Sequence, residues 1–544
     1  MTTLGTPVTR VDGRAKVTGA ARYSTEIPFP DITHAAIVGA TIASGRIVSI
    51  ETDQALAADG VLAVLTHREV PRIAVQPHLL PSLVGFAAPG QSFFPMQDET
   101  VHYAGQPVAL VVADSHERAQ YAASLVHERY DVAASVATID QGRDRAYEAD
   151  RLFGGLMPAR IERGDVDAGL AQADVRIDAA YRMAANHHNP LEAPSTIAVW
   201  DSDGKLTVHE STQGIRATQQ TLAKLLGLPV SHVRVLTQVV GGGFGAKAMV
   251  WPQVTLAAMA ARHVGRPVKL MLTRPQIFTS NGNLEEHEHR IELGATDSGR
   301  LTAIRHEKLS ITSPFDDWAE PATGVSSQLY ACDNYLGVHR LIKGSTMTPT
   351  FTRGPGESLG VFALETAMDE LAYEIGVDPV DLRVHSRAPA DPRGNAWSSD
   401  GLERCLRLGA EQFGWSSRDP TPRTTRDGDW LIGTGMAAAA YPVALFMPPQ
   451  RARARIHADG SAVVQLSTQE FGTGVLTMAT QVGADALGVA LHTMEVQAGD
   501  TDMPNSTAAV GSAGAGMVGS AVHAAGTALR GQLVAMAVQD EQSP

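Results

Sequence analysis

A cluster of small residues in the middle of this chain could bind an anionic group. It consists of Gly241, Gly242, Gly243, Phe244, Gly245, Ala246 and Lys247, between an apolar run at 233–240 and an apolar, helix-like stretch at 254–264. Glycine has no Cβ, so backbone N–H groups can approach a bulky anion, and the N-terminus of a following helix adds positive potential. The order of strand, glycines and helix therefore predicts a binding site for a phosphate or pyrophosphate group.

Two known nucleotide-binding motifs fit this cluster poorly. A P-loop has its lysine directly after the last glycine and then Ser or Thr, but here Ala246 stands before Lys247 and Ala248 follows. The dinucleotide fingerprint is met only loosely, and it requires an acidic residue about 20 residues further on. Because no Asp or Glu lies between Gly245 and Glu285, we expect neither a P-loop nucleotide nor a nicotinamide or flavin nucleotide.

The length and charge of the chain exclude several classes of protein. With 544 residues, several domains are expected. The 44 Lys and Arg residues against 58 Asp and Glu residues give a net charge of −14, which disfavours binding to nucleic acid or to an anionic membrane surface. The two cysteines, Cys332 and Cys405, are too few for a disulfide framework or a four-cysteine cluster, so we expect two buried free thiols.

The sequence shows no targeting signal of its own. Its first residues are polar and lack an apolar signal core, and no apolar span of about 18 residues occurs later. We therefore expect a cytoplasmic protein without a membrane segment, while export together with a partner stays open.

Apolar periodicity predicts a mixed α/β chain with connectors. The expected elements are a strand at 108–112, helices at 115–125, 362–375 and 476–487, and a strand at 462–466. The helix at 362–375 should end at Gly376, ahead of Asp378-Pro379. The stretch at 389–430 is rich in Pro, Arg and Asp and predicts a surface connector, and 511–519 predicts a glycine-rich loop.

Five motifs follow one another along the chain. They are Ser211-Thr212-Gln213, the glycine cluster after Val240, Phe351-Thr352-Arg353-Gly354-Pro355-Gly356-Glu357, Gln469-Glu470-Phe471-Gly472-Thr473-Gly474, and Gly499-Asp500-Thr501-Asp502-Met503-Pro504 leading into Gly511-Ser512-Ala513-Gly514. With an opening Arg10-Val11-Asp12, they resemble the large, molybdopterin-binding subunit of the xanthine dehydrogenase and aldehyde oxidase family over nearly the whole chain. A single glycine-rich motif is weak evidence for the family, but five motifs in this order are strong evidence.

The resemblance implies the fold class and the cofactor. We expect an α+β (mixed α/β multidomain) fold with an N-terminal a/b hammerhead domain at 1–140, a first molybdopterin-binding domain at 141–400 and a second, incomplete one at 401–544. In this family the dithiolene of the molybdopterin cofactor supplies the sulfur ligands of molybdenum, so no direct protein ligand to the metal is expected. The cofactor is expected as molybdopterin or its cytosine dinucleotide form, with no FAD or Fe-S site in this chain.

The resemblance also implies roles for individual residues. Gln213 is expected to hydrogen-bond the apical oxo group, and Arg353 to approach the cofactor with its planar guanidinium. The other expected cofactor-binding residues are Gly242, Gly243, Phe244, Gly245, Gly354, Phe471, Gly472, Thr473, Gly511, Ser512 and Ala513. Considered alone, Gln213 would be interpreted as a loop amide and Arg353 as a surface ion-pair partner. Their occurrence together with the other motifs favours the cofactor-binding interpretation.

The catalytic base is expected outside this sequence. Complete family members use a glutamate near the C-terminus, in a Gly-x-Gly-Glu setting, as general base. The sequence reaches Pro544, soon after the Gly511 loop, and we expect no counterpart of that glutamate in it. Glu357 matches a different family motif, so we do not assign it as the base, and no catalytic residue is assigned. Two hypotheses lead: a subunit of a molybdenum hydroxylase, completed by a separate C-terminal polypeptide or recorded incompletely, and a catalytically inactive cofactor-binding remnant. A third, an unrelated nucleotide-binding protein, is disfavoured by the poor match to the P-loop and the missing acidic residue. The first would oxidise aldehydes or N-heterocycles with water as the oxygen source.

Partners and substrate follow from the same resemblance. Electrons are expected to pass to separate 2Fe-2S and FAD subunits. Purine-oxidising members carry a glutamate directly after the lysine of the glycine cluster, where this chain has Ala248. Because alanine cannot pair with a polar ring, we expect aldehydes or an apolar N-heterocycle as substrate, with aldehydes first.

Two further groups of polar residues suggest metal ligands. Glu285, His287 and His289 alternate along a predicted strand, and we expect a solvent-facing strand rather than a metal site. The stretch from His187 to Glu192 is expected to form a buried structural turn.

Overall fold

The computed structural model describes residues 3–74, 93–152, 155, 157–441, 449–506 and 508–542, and the elements named below lie within them. The strands are β1 Thr33–Gly39, β2 Gly45–Glu51, β3 Val61–Thr66, β4 Thr100–Val101, β5 Pro107–Ala113, β6 His127–Val132, β7 Tyr147–Glu148, β8 Arg151–Leu152, β9 Met157–Pro158, β10 Arg160–Arg163, β11 Val175–Met183, β12 Ser195–Trp200, β13 Leu206–Glu210, β14 Val233–Leu236, β15 Val268–Met271, β16 His287–Ala295, β17 Leu301–Thr312, β18 Tyr335–Lys343, β19 Arg426–Asp427, β20 Trp430–Leu431, β21 Arg453–Ile456, β22 Ala462–Leu466 and β23 Met494–Ala498. The helices are α1 Gly13–Val17, α2 Asp53–Leu56, α3 His116–Ala123, α4 Ile139–Gly142, α5 Val166–Ala171, α6 Ile215–Leu225, α7 Pro252–Val264, α8 Arg274–Ser280, α9 Thr323–Ser326, α10 Glu357–Ile375, α11 Pro379–Ser386, α12 Leu402–Phe413, α13 Val475–Leu487 and α14 Gly514–Gln539. The predicted mixed α/β fold is confirmed.

A seven-stranded sheet joins the N-terminal strands to those around the glycine cluster. Its order is β14-β13-β12-β15-β1-β5-β3, and β1 runs parallel to β15. Strand β5 is buried along its whole length. Leu110 and Val112 pack into one core cluster, while Ala109 and Val111 pack into another, as the two-residue period of a strand requires. The predicted strand at 108–112 is therefore confirmed, and it lies between β1 and β3.

The helix after the glycine cluster, α7, is defined by residues at its two ends. Pro252 lies in its first turn, and Gly265 follows its last residue with a left-handed φ of +66°. Proline suits the first turn because its missing N–H would have no partner there, and glycine adopts the left-handed conformation without strain. The helix packs on β12 and β15 and is buried over most of its length. The predicted order of strand, glycines and helix is confirmed.

A second sheet in the structure has six strands. The strand order is β10-β18-β17-β16-β11, with β7 paired to β18. Helix α10 packs across β11 and β16 and ends at Gly376, whose φ is +79°. Asp378 then caps α11 by accepting a hydrogen bond from the Val380 N–H at 2.8 Å. The predicted end of this helix is therefore confirmed.

One face of this sheet carries a buried row of polar side chains. Glu285 is 1% exposed, and His287 and His289 are fully buried, so the expectation of a solvent-facing strand was wrong. Glu285 forms an ion pair with Lys308 on the neighbouring strand β17. Burial lowers the pKa of His287, and it holds the pKa of His289 well below its usual value. Across the described part of the chain, no group of side chains is arranged to bind a metal ion.

The C-terminal region differs from expectation in two places. Helix α12 lies inside the stretch 389–430 that was expected to be a connector. Helix α14 begins at Gly514, within the predicted loop at 511–519. The three-stranded sheet β21-β22-β23 and helices α13 and α14 share one apolar core.

Cys332 is buried as expected, but Cys405 is exposed. Among the described helices, none combines the length and apolar character needed to cross a membrane.

Candidate cofactor-binding site

The sequence motifs meet in one region of the fold. The backbone N–H of Val240 donates to the carbonyl of Glu470 at 2.9 Å, which places the glycine cluster beside the motif at 469–474. The backbone N–H of Gln213 donates to the carbonyl of Lys247 at 2.8 Å, and the Gln213 carbonyl accepts from the Ala509 N–H at 2.8 Å. Backbone hydrogen bonds therefore join segments that are far apart in the sequence.

The side chain of Gln213 is buried at the centre of these contacts. Its Oε1 accepts a hydrogen bond from the Gly245 N–H at 3.1 Å, and its Nε2 donates to the Ala509 carbonyl at 2.9 Å. A side-chain amide carries two N–H donors, and the second has no acceptor among the residues that the structure describes. Gln213 therefore presents an N–H group that can donate to a ligand.

The glycine cluster needs glycine at the points where other segments approach it. A Cβ on Gly243 would lie 2.3 Å from Gln213 Oε1. A Cβ on Gly245, whose φ is +110°, would lie 1.9 Å from the Phe351 carbonyl oxygen. Gly242 also has a positive φ of +89°, and Phe244, at a φ of +54°, is 44% exposed. The cluster thus combines close contacts at Gly243 and Gly245 with an exposed aromatic residue at Phe244.

The loop that contains Arg353 is held by a buried carboxyl group. Glu320 accepts hydrogen bonds from the Thr352 N–H at 2.6 Å and from the Gly356 N–H at 2.8 Å. Burial raises the pKa of Glu320 to about 8. Gly354 turns the loop with a φ of +74°. The Arg353 side chain is exposed and makes no hydrogen bond or ion pair with a residue in the described ranges, so its guanidinium is available to an anion.

The loop at 471–473 is also held by a glutamate. The Glu470 side chain is fully buried, and its carboxylate accepts from the Gly472 N–H at 2.8 Å and from Arg10 Nη2 at 3.0 Å. Arg10 Nη1 donates to the Gly472 carbonyl at 2.9 Å. Phe471 is half-buried, whereas Gly472 and Thr473 are exposed. The N-terminal segment of the chain therefore supports this loop from the inside and leaves its outer side accessible.

The loop at 511–513 completes the site. Gly511 has a φ of +64°, and Ser512 has the same left-handed conformation with a φ of +52°, which is uncommon for serine. Burial and the charge of Glu357 raise the pKa of Tyr441, whereas a hydrogen bond with the Ser512 side chain lowers it. Ser512 is exposed and Ala513 is buried just before α14 begins. Ser512 therefore lies at the accessible edge of the loop.

An apolar cluster lies next to the glycine cluster and the Arg353 loop. Ala248 is 1% exposed and packs in this cluster. Its other members are Phe93, Tyr103, Met249, Trp251, Phe315, Met347, Phe351 and Val510. The Phe93 and Phe315 rings are stacked, with their centroids 4.3 Å apart. The surroundings of Ala248 are therefore aromatic and apolar rather than polar.

The motif loops combine tightly packed glycines, less crowded glycines and one exposed cation. The inner glycines allow segments to approach each other, whereas a Cβ on any of three outer glycines would meet no atom within 4 Å; these are Gly472, Gly514 and Gly516. Arg353 adds an exposed positive charge that is not already paired with a described residue. Glycine-rich loops with free backbone donors are suited to phosphate groups.

Sequence reasoning missed the residues that hold the loops in place. Glu320 was not identified, Glu470 was noted only as part of a motif, and Glu192 was assigned to a structural turn. Each of these glutamates accepts backbone N–H groups from a motif loop. A glutamate near a glycine-rich loop is a signal in principle, but Glu320 is 32 residues before the loop that it binds. His188, in the same turn as Glu192, contacts the Phe351 carbonyl at 2.6 Å through Nε2 and is partly buried.

Comparison with known proteins identifies the family. The a/b hammerhead domain of aldehyde oxidase and xanthine dehydrogenase matches residues 18–134, and two molybdopterin cofactor-binding domains match 150–386 and 408–543. The chain is similar to the aldehyde oxidoreductase molybdenum-binding subunit PaoC of Escherichia coli K12, with 37% identity over 98% of this chain and 71% of the relative. It is also similar to the putative xanthine dehydrogenase molybdenum-binding subunit XdhA of the same strain, with 28% identity over 91% of this chain and 67% of the relative.

Solved structures agree on the fold. The aldehyde oxidoreductase from Desulfovibrio desulfuricans aligns with a TM-score of 0.82 at 21% identity, over 97% of this chain and 60% of that chain. The CO dehydrogenase from Oligotropha carboxidovorans aligns with a TM-score of 0.80 at 22% identity, over 98% of this chain and 72% of that chain. At this identity the two structures support the fold alone.

The chain belongs to the aldehyde oxidase and xanthine dehydrogenase family, as a large, molybdenum-binding subunit. It is therefore part of a molybdenum-dependent oxidoreductase, and its cofactor is molybdopterin.

Proposed function

We propose that the loops described above hold the molybdopterin cofactor of an aldehyde-oxidising molybdenum hydroxylase. The observation that carries this proposal is the hydrogen bonding of Gln213 to both the glycine cluster and the segment before Gly511. The cofactor-binding residues would be Gln213, Gly242, Gly243, Phe244, Gly245, Arg353, Gly354, Phe471, Gly472, Thr473, Gly511, Ser512 and Ala513. None of their side chains would coordinate the metal, because the pterin dithiolene would hold the molybdenum.

The residues of the chain would bind and orient the cofactor. When bound, the cofactor supplies the redox centre that takes two electrons from the substrate. The second Nε2 hydrogen of Gln213 would donate to the cofactor, and the guanidinium of Arg353 would offer a charged donor to an anionic group. Backbone N–H groups of the glycine-rich loops would contact phosphate oxygen atoms.

The substrate of this site would be an aldehyde, and preferably an aromatic one. Ala248 packs among aromatic and apolar side chains, including Phe351 of the Arg353 motif. An apolar pocket offers no hydrogen bond to a purine ring, so it would not favour such a polar substrate over an apolar one. The name of the relative PaoC as an aldehyde oxidoreductase subunit, at 37% identity, supports the same choice.

The electrons would leave through partner subunits that carry a 2Fe-2S cluster and FAD. A 2Fe-2S cluster usually needs four cysteine ligands, and these 544 residues contain two cysteines. The description of PaoC as a molybdenum-binding subunit is consistent with such an assembly.

We also propose three structural units at 1–140, 141–400 and 401–544, supported by the ranges that the family models match.

Purification of the assembled complex tests the proposed activity. The complex would be isolated from its native source, and its kcat/KM compared for an aromatic aldehyde, an N-heterocycle and hypoxanthine. The proposal expects the aromatic aldehyde to be the best substrate and small Fe-S and FAD subunits to co-purify. Preference for hypoxanthine would overturn the substrate class, and turnover with a physiological acceptor without partner subunits would overturn the electron route.

A further inference from the structure

Glu192 lies outside the five motifs but contacts two of them. Its Oε2 accepts hydrogen bonds from the Gly241 N–H at 2.7 Å and from Lys247 Nζ at 2.8 Å. The same oxygen accepts from Ser211 Oγ at 3.2 Å. The backbone N–H of Glu192 donates in return to the Gly241 carbonyl at 3.1 Å. One residue therefore connects both ends of the glycine cluster to the Ser211-Thr212-Gln213 segment.

Lys247 depends on Glu192 for the negative charge that compensates its buried ammonium group. The Lys247 side chain is 1% exposed and that of Glu192 is 12% exposed. Burial lowers the pKa of Lys247, whereas the carboxylate of Glu192 raises it. The nearby Glu210 is buried as well, and burial raises its pKa to about 8. Glu192 is therefore the residue that pairs directly with the buried ammonium group.

The contact also explains why residue 241 is glycine. A Cβ on Gly241 would lie 2.4 Å from the Cβ of Glu192. Glycine at this position lets the strand end approach Glu192 closely enough for the two backbone groups to hydrogen-bond. A hydrogen bond that involves a charged group is stronger than one between neutral groups. The glycine cluster is thus fixed at its first residue and, through Lys247, at its last.

We propose that Glu192 is a positioning residue that fixes the conformation of the glycine cluster in which the cofactor binds. The proposal rests on the proposed function of that cluster. Glu192 acts through Gly241 and Lys247, so its removal loosens the cluster without removing any group proposed to bind the cofactor. The loosened cluster then binds the cofactor less well.

Amide hydrogen exchange and molybdenum content of the natively assembled complex test this role together. Exchange would be followed by mass spectrometry on a peptide that covers 238–248. We expect Glu192→Ala to speed exchange in this peptide by about tenfold and to remove most of the molybdenum. Glu192→Gln keeps a neutral acceptor for the Gly241 N–H but no charge for Lys247, so it should give an intermediate result on both measurements.

A matched control separates this role from a general loss of stability. Glu365 forms a buried ion pair with Arg383 at 2.7 Å, and its other hydrogen-bond partners are Tyr330 and the Ala438 N–H rather than residues of the glycine cluster. Glu365→Gln should leave exchange in the 238–248 peptide and the molybdenum content unchanged, even if it lowers the melting temperature. If Glu192→Gln folds but leaves exchange in that peptide unchanged, or loosens it without loss of molybdenum, the proposal is overturned. A wild-type complex without molybdenum would instead refute the proposed function, while the exchange result would still decide whether Glu192 fixes the cluster.

Discussion

Gln213 accepts a hydrogen bond from the backbone N–H of Gly245 at 3.1 Å through its side-chain oxygen. On its other side, Gly245 approaches the Phe351 carbonyl so closely that a Cβ would lie 1.9 Å from the oxygen atom. Gly245 is therefore the point where three motif segments meet. A glycine is needed there for two reasons, since its φ of +110° is also unfavourable for other residues.

Gly245→Ala should displace the Phe351 carbonyl or the glycine cluster. We expect loss of the Gln213 hydrogen bond and of most of the bound molybdenum, measured by elemental analysis of the purified complex. Gly376→Ala is a matched control, because Gly376 has a φ of +79° but no atom within 4 Å of the added Cβ. It introduces backbone strain alone and should leave the molybdenum content unchanged. Equal losses in the two variants would argue against a specific role of Gly245.

Glu320→Gln should loosen the loop that carries Arg353. The carboxyl group accepts one backbone N–H on each oxygen, from Thr352 and from Gly356. A glutamine has one acceptor oxygen, and its NH₂ group would face the second N–H. We expect faster amide exchange in a peptide that covers 350–357, with the rest of the chain unchanged. Unaltered exchange in this peptide would mean that Glu320 does not hold the loop.

Acid should destabilise the fold through its buried histidines. Burial lowers the pKa of His306 to about 3, as it does for His339, and that of His188 to about 4. An unfolded histidine has a pKa of about 6.5, so the unfolded state binds more protons between these values. Each histidine therefore stabilises the fold fully above about pH 6.5, and this contribution falls by about 1.4 kcal/mol per pH unit as the pH decreases towards the folded pKa.

Melting temperatures measured between pH 4.5 and 6.5 test this prediction. The melting temperature of the wild type should rise with pH across this range. His306→Gln should reduce the slope, because glutamine replaces a titrating side chain with a neutral one that can still hydrogen-bond to Ser326, the partner of His306 Nδ1 at 2.7 Å. A slope that is unchanged in the variant would contradict the assignment of His306 as a neutral, buried group.

Local sequence patterns predicted the elements that depend on local physics. Helix α10 ends at Gly376 because glycine takes the left-handed conformation that terminates a helix, and the following Asp378-Pro379 starts the next one. The glycine cluster was recognised for the same reason, since residues without a Cβ mark close approaches of the backbone. These signals lie within a few residues of the feature that they predict.

Features that depend on distant partners could not be predicted in this way. The alternation from Glu285 to His289 is the same for a solvent-facing strand and for a buried one. What decides between them is Lys308 on the neighbouring strand, which neutralises Glu285 inside the fold. The roles of Glu192 and Glu320 were missed for the same reason, because the loops that they hold are brought to them only by folding.

The central claim is that the converging glycine-rich loops hold the molybdopterin cofactor, and the molybdenum and pterin content of the assembled complex tests it most directly. We predict about one molybdenum and one pterin per chain in the wild type. Gly243→Val should contain little of either, because its Cβ would lie 2.3 Å from Gln213 Oε1, whereas Gly409→Val, on an exposed helix position with no atom within 4 Å, should remain loaded. A wild type without molybdenum and pterin, or a fully loaded Gly243→Val variant, would contradict the claim.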